Sequence, residues 1–146
     1  MRRKIVQLGA AMVLLSGMLF VGATGVMADS RCGGGKGITV WQDANQGGPS
    51  ATWCANSNGI LDIPDLSQKT DNLLAGANWN DRISSWQTFN MTSSLISCLV
   101  QNVNYTYSDP TRNSRITGNN TLSYVGDSAN DQASSIVIPA SSCPTS

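Results

Sequence analysis

The chain of 146 residues contains no histidine and no glutamate, and these two absences remove whole classes of chemistry. Without an imidazole, neither a Ser-His-Asp nor a Cys-His relay can be assembled. Charge is sparse as well: Asp, Glu, Lys and Arg together make up 12% of the chain, and no basic cluster is present to neutralise phosphates. No nucleic-acid partner is expected. Zinc would have to be held by Cys32, Cys54, Cys98 and Cys143 alone, and an even cysteine count in an exported chain reads as disulfides instead. Two conceivable carboxylate pairs, Asp62 with Asp65 and Asp127 with Asp131, carry no spacing or pocket signal for hydrolysis. The protein is therefore expected not to be an enzyme.

Export is expected from the N-terminus. Met1-Arg2-Arg3-Lys4 is basic, residues 5–27 are almost wholly apolar or small, and Val26-Met27-Ala28 supplies small residues at a cleavage point, which together read as a secretory signal peptide over residues 1–28. A transmembrane anchor is the competing reading, because the apolar run approaches the roughly 20 residues that span a bilayer. Gly and Ala dilute the end of the run and Asp29-Ser30 follows, which favours removal, a secreted product and no membrane attachment afterwards. Cleavage would take three of the nine basic residues and none of the nine aspartates, leaving a net charge of about −3. The remaining length, about 118 residues, suits one domain with its own core.

Residues 29–37 form a flexible, Gly-rich lead-in, and residues 38–146 the domain. Short alternating or β-branched runs mark strands at residues 38–41, 50–55, 60–63 and 85–89, and again at 95–103, 114–117, 121–125 and 135–138. Turn formers separate them, above all Asp43 to Pro49, with two glycines available for positive φ. Residues 65–76 suit either a loop or one to two helical turns with Ser67 as the N-cap. Laying Asn104 on Asn45 brings two halves into correspondence, residues 38–90 and 95–143, each of four strands. This predicts an all-β fold: two Greek-key motifs of four strands forming a small two-sheet β-sandwich with pseudo-twofold symmetry. Four cysteines allow three connectivities; two lie in each half, which favours Cys32 with Cys54 and Cys98 with Cys143. Trp41, Trp53, Trp79 and Trp86 are expected in the core, Trp79 being the least settled because it borders a turn.

One hexapeptide occurs twice at matching places. Asn80-Asp81-Arg82-Ile83-Ser84-Ser85 precedes the last strand of the first half, and Asn130-Asp131-Gln132-Ala133-Ser134-Ser135 that of the second. Side chains of this kind also close turns by bonding nearby backbone. Their oxygens equally offer the carboxylate, carbonyl and hydroxyl donors that a hard cation such as calcium takes.

These residues resemble the microbial βγ-crystallins, whose calcium signature is two Asn or Asp, two variable positions, then Ser or Thr and Ser. Both hexapeptides match it at every defined position. The family's hairpin signature, an aromatic, four variable residues, an aromatic, one variable residue and Gly, is met at its ends by Trp41 and Gly48, with Gln46 in the second aromatic place. In the second half only Tyr105 fits, since Val100 and Tyr107 stand at the ends. A positive φ at Tyr107 would be strained, which predicts a distorted or longer second hairpin.

The resemblance implies two calcium sites, each shared between the motifs. Asp81 and the Arg82 carbonyl would pair with Ser134, Asp131 and the Gln132 carbonyl with Ser84, and a carbonyl near Gln42 or Gln101 would complete each site. Asn80, Asn130, Ser85 and Ser135 would hold the turns. One carboxylate per site implies weak to moderate affinity, roughly 10⁻⁶ to 10⁻³ M. It further implies a secreted, monomeric calcium-binding module of structural or interaction role. The alternative is a secreted peptidase inhibitor or a killer-toxin-like antimicrobial on the same fold, for which the exposed loops at residues 65–78 and 104–113 would face a partner such as a secreted protease.

Overall fold

The computed structural model describes residues 30–106, 108–109, 112–140 and 142–143. The signal-peptide segment and Tyr107 lie outside these residues, and with them the expectations placed on both. Eight strands follow in order: β1 (Gly37–Asp43), β2 (Gly47–Cys54), β3 (Leu61–Ile63), β4 (Ser85–Phe89), β5 (Ile96–Val100), β6 (Ser114–Thr117), β7 (Thr121–Leu122) and β8 (Ser135–Ala140). Alternation sets the faces: Ala51 and Trp53 of β2, Leu61 and Ile63 of β3, and Ser114 and Ile116 of β6 are buried, while their neighbours point to solvent or are less buried. Period-2 patterning of this kind is what a half-buried strand requires.

The strands form two antiparallel sheets of four, in the orders β2-β1-β4-β7 and β3-β8-β5-β6. The third strand of each half therefore leaves its own sheet. β3 pairs with β8 (Asp62 opposite Val137), and β7 pairs with β4 (Gln87 opposite Thr121). The exchange interlocks the halves, so neither sheet can form from one half alone.

Between the sheets lies a core that includes Ile38, Val40, Trp79, Ile83, Trp86, Leu99, Ile136 and Ile138. Burying each aliphatic side chain of this size stabilises the fold by about 1.5–3 kcal/mol. Trp79 and Trp86 are wholly buried and Trp53 nearly so, whereas Trp41 is only half-buried. Their indole N–H groups are satisfied: Trp86 donates to Ser114 Oγ (2.9 Å), Trp79 to the Asp71 carbonyl (2.9 Å) and Trp53 to Asp71 Oδ2 (3.0 Å). Trp53 and Trp79 meet edge to face with centroids 6.0 Å apart, a favoured aromatic geometry.

Disulfides join Cys32 to Cys54 and Cys98 to Cys143. The lead-in is thereby anchored: Ser30–Cys32 is a 3-10 turn, and Arg31 donates to Thr39 Oγ1 (2.6 Å) and Gln87 Oε1 (3.2 Å) while its guanidinium lies over the Phe89 ring. Gly37, at the start of β1, admits no side chain because a Cβ would collide with the Phe89 ring and the Trp53 carbonyl.

Several boundaries differ from the sequence expectation. β5 ends at Val100 rather than residue 103, because Val103–Tyr105 turns as a 3-10 helix with Asn104 left-handed. β7 is two residues long. Residues 65–76 contain a single 3-10 turn, Leu66–Gln68, and its N-cap is Asp65, whose carboxylate accepts from the Ser67 amide at 2.8 Å. Ser67 sits too far inside the turn to cap it. The bond between Asp65 and the Ser67 hydroxyl, then that from the Ser67 amide, holds the Asp65 carboxyl below its usual range.

Candidate metal centre

Each hexapeptide occupies the corner between a turn and the last strand of its motif, and burial rises along the two in the same way. Asp81 and Asp131 are exposed, Ile83 and Ala133 are buried core residues, and Ser84, Ser85, Ser134 and Ser135 are buried. Apolar third-last positions pull the corner inward, and that leaves the aspartates at the rim. Both aspartates are left-handed, with φ of 53° and 52°. Asp tolerates this conformation better than most residues because its short polar side chain bonds locally.

The two hexapeptides face each other across the pseudo-twofold axis. The Asp81 amide donates to the Ala133 carbonyl at 2.9 Å, and the Asp131 amide to the Ile83 carbonyl at 3.4 Å. Ser134 Oγ then lies 3.3 Å from Asp81 Oδ1, and Ser84 Oγ lies 3.5 Å from Asp131 Oδ1. The structure thus brings Asp81 to Ser134 and Asp131 to Ser84, each pair drawn from both motifs.

The hairpins reach the same corners. The Ser84 amide donates to the Trp41 carbonyl (3.1 Å) and the Ser134 amide to the Val100 carbonyl (2.9 Å). Gln42 therefore follows directly on the residue bonded to Ser84, and Gln101 on the residue bonded to Ser134. Gln42 falls where the β1–β2 register shifts. The Gln101 side-chain oxygen accepts from Ser108.

The last serine of each hexapeptide has a different task. Ser85 Oγ donates to the Asp43 carbonyl at 2.7 Å and accepts from the Gln46 amide at 3.1 Å, and Ser135 Oγ donates to the Asn102 carbonyl at 2.7 Å. These bonds fix two hairpin turns of the same form, in which Asn45-Gln46 and Asn104-Tyr105 are consecutive left-handed pairs. Asn80 and Asn130 steady the aspartates, donating to Asp81 Oδ2 (2.7 Å) and Asp131 Oδ2 (2.9 Å). A neighbouring contact not foreseen in the sequence links Tyr124 Oη to Asp127 Oδ1 at 2.6 Å. That hydrogen bond, then burial and the charges of Asp127 and Asp131, raises the Tyr124 phenol above its ordinary range.

Four observations bear on whether these oxygens suit a hard cation. The hydroxyl–carboxylate separations exceed the 2.5–2.7 Å of a good O–H···O⁻ bond, yet two oxygens each about 2.4 Å from one calcium ion and at right angles are about 3.4 Å apart. The carbonyl oxygens of Arg82 and Gln132 accept no hydrogen bond among the described residues. Asn130 Oδ1 is buried without a partner, and an unpaired buried acceptor is costly. No three His, Cys, Asp or Glu side chains are close enough together to hold one metal ion among the described residues. The donor set is therefore all oxygen with one carboxylate per corner, which suits calcium rather than zinc.

The two motifs differ most in one connection. Residues 64–84, between β3 and β4, number nine more than residues 123–134, between β7 and β8. The additional residues form a loop closed by the Trp79 amide on the Lys69 carbonyl (2.9 Å). Bonds from both tryptophan indoles to Asp71 and from Asn72 Nδ2 to the Ser50 carbonyl (3.0 Å) hold the loop to the body. Its tip presents Leu74, 87% exposed.

No protein-family model matches the sequence, and no curated protein does. Solved structures do match. A structure concerned with the evolution of the eye-lens βγ-crystallin domain fold superposes with a TM-score of 0.50 at 13% identity, over 70% of this chain and 83% of that one. A βγ-crystallin domain from Clostridium beijerinckii gives 0.49 at 23% identity, over 70% and 97%. A βγ-crystallin from an archaeon gives 0.45 at 23%, over 70% and 95%. The chain has the βγ-crystallin fold.

Proposed function

We propose that this chain of βγ-crystallin fold is a secreted, disulfide-braced module that binds two calcium ions, one at each corner between its motifs. Asp81, the Arg82 carbonyl, Ser134 and the Gln101 backbone hold one ion. Asp131, the Gln132 carbonyl, Ser84 and the Gln42 backbone hold the other. Calcium supplies positive charge that draws together oxygens from both motifs; the role is structural or interactive. The observation that carries this reading is the crossed pairing of Ser134 with Asp81 and Ser84 with Asp131. Calorimetric titration with calcium tests it: two ions bound per chain are expected, with dissociation constants of roughly 10⁻⁶ to 10⁻³ M, and no heat of binding at millimolar calcium would refute it.

The inserted loop favours a second reading, a peptidase inhibitor that offers residues 65–78 to a secreted protease. A large exposed aliphatic side chain on a loop held by buried tryptophans is pre-organised for a partner's apolar pocket. Inhibition of a secreted metallo- or serine protease, lost in Leu74→Ala with the melting temperature unchanged, is the expected result. No inhibition across a panel of such proteases removes this reading.

A further inference from the structure

The pseudo-twofold axis makes the two corners comparable residue by residue, and their backbones are nearly superimposable in hydrogen bonding while their charges are not. The Leu66 amide donates to the Ser134 carbonyl (2.8 Å) as the Val125 amide donates to the Ser84 carbonyl (3.0 Å), so Asp65 occupies the place of Tyr124. Ser85 and Ser135 bond the carbonyls of Asp43 and Asn102, so Asp43 occupies the place of Asn102. Arg82 occupies the place of Gln132 in the hexapeptides.

Around the Asp81 corner stand Asp65, Asp81 and Arg82, with one net negative charge. Lys69 and Asp71 of the inserted loop offset each other. Around the Asp131 corner stand Asp43, Asp127 and Asp131, with three. Asp127 is tied in by Tyr124, and Arg112, which reaches Gln132 Oε1 at 3.2 Å, is offset by Asp109 at 3.7 Å. The corners therefore differ by about two unit charges, although their donor atoms are of the same kinds.

We infer that the two calcium sites fill in sequence, the Asp131–Ser84 site before the Asp81–Ser134 site, with Arg82 the residue that holds the second site back. This rests on the calcium reading above. Two charges at about 10 Å from a divalent ion change its affinity by about two- to tenfold, the larger figure at low ionic strength, because salt screens over about 8–10 Å.

Single-site proteins test the order. Asp81→Ala leaves the Asp131 site and Asp131→Ala leaves the Asp81 site, because Ala removes the side-chain oxygen that Asn would still offer. With calcium chloride as the probe, calorimetry should give a dissociation constant for Asp81→Ala about two- to tenfold lower than for Asp131→Ala. The gap should shrink as salt is raised from about 0.02 to 0.5 M. Adding Arg82→Gln to Asp131→Ala should tighten the remaining site about two- to fourfold, with Arg82→Lys leaving it unchanged. Equal constants, a tighter Asp81 site, or no response to Arg82→Gln would overturn the filling order while leaving calcium binding intact. No binding and no melting shift in the parent protein would overturn the calcium reading and the order with it.

Discussion

Ser134 Oγ and Asp81 Oδ1 lie 3.3 Å apart although 53 positions separate them in the chain, and they belong to different motifs. A ligand that engages both ties the two halves of the sandwich together in the folded state alone. Ser134→Ala should remove one donor from the Asp81 site and Ser84→Ala one from the Asp131 site. Each is expected to weaken one ion's binding by about tenfold, the equivalent of one contact of about 1.4 kcal/mol, with the other ion unaffected. Calorimetry of the two variants checks this, and an equal loss at both sites in either variant would contradict the crossed arrangement.

The disulfides close loops of different length, 22 residues for Cys32–Cys54 and 45 for Cys98–Cys143. In the chain-entropy account their loss costs about 3 and 4 kcal/mol. Replacing Cys98 and Cys143 by Ser should lower the denaturant midpoint more than replacing Cys32 and Cys54. The reverse order would assign the larger share to the anchoring of the N-terminal turn.

Trp86 fills the core and also satisfies Ser114 Oγ, which is itself buried at 5% exposure. Trp86→Phe should therefore cost about 2–4 kcal/mol, combining a small cavity with a buried hydroxyl left unpaired. Trp86→Phe with Ser114→Ala should recover about 1 kcal/mol of that in chemical denaturation, because the unpaired group is then gone.

Much of this was legible in the residues. Alternation at β2, β3 and β6 located strands because one face of each is buried, and two cysteines in each half favoured the pairing that the structure contains. The repeated hexapeptide marked both corners because both corners need the same backbone bend. What alternation does not carry is partner choice: β3 and β7 are three and two residues long, too short to reveal that they pair in the opposite sheet. Left-handed Gln46 and Tyr105 were equally hidden, since neither residue type favours that conformation; serine hydroxyls and the backbone carbonyls of Ser123 and Pro64, which accept from the Asn45 and Asn104 amides, hold the turns. Asp65 was missed as a cap because Ser67, two residues on, is also a capping residue by type.

Asp65 gives a pH test. Its carboxyl is held below the ordinary value by Ser67, so the charged form is favoured in the folded state. That contribution is present above the unfolded pKa and is lost as pH falls through the lowered folded value. The melting temperature of the parent should fall as pH drops below the ordinary carboxylate value of about 4, and Asp65→Asn should flatten that decline while lowering stability at pH 7. An unchanged profile would mean that the bond to Ser67 contributes nothing to the acid limb.

The central claim, that calcium joins the two motifs through Asp81 and Asp131, is tested most directly by the thermal midpoint with calcium and with chelator. At one hundred times the dissociation constant one ion stabilises by about 2.7 kcal/mol, or about 10 °C for a domain of this size. The parent should melt higher in calcium than in chelator, the shift rising with calcium and reaching that size at one hundred times the dissociation constant, and Asp81→Ala with Asp131→Ala should abolish it. An identical midpoint in calcium and in chelator for the parent, or a shift that survives in the double variant, would contradict the account.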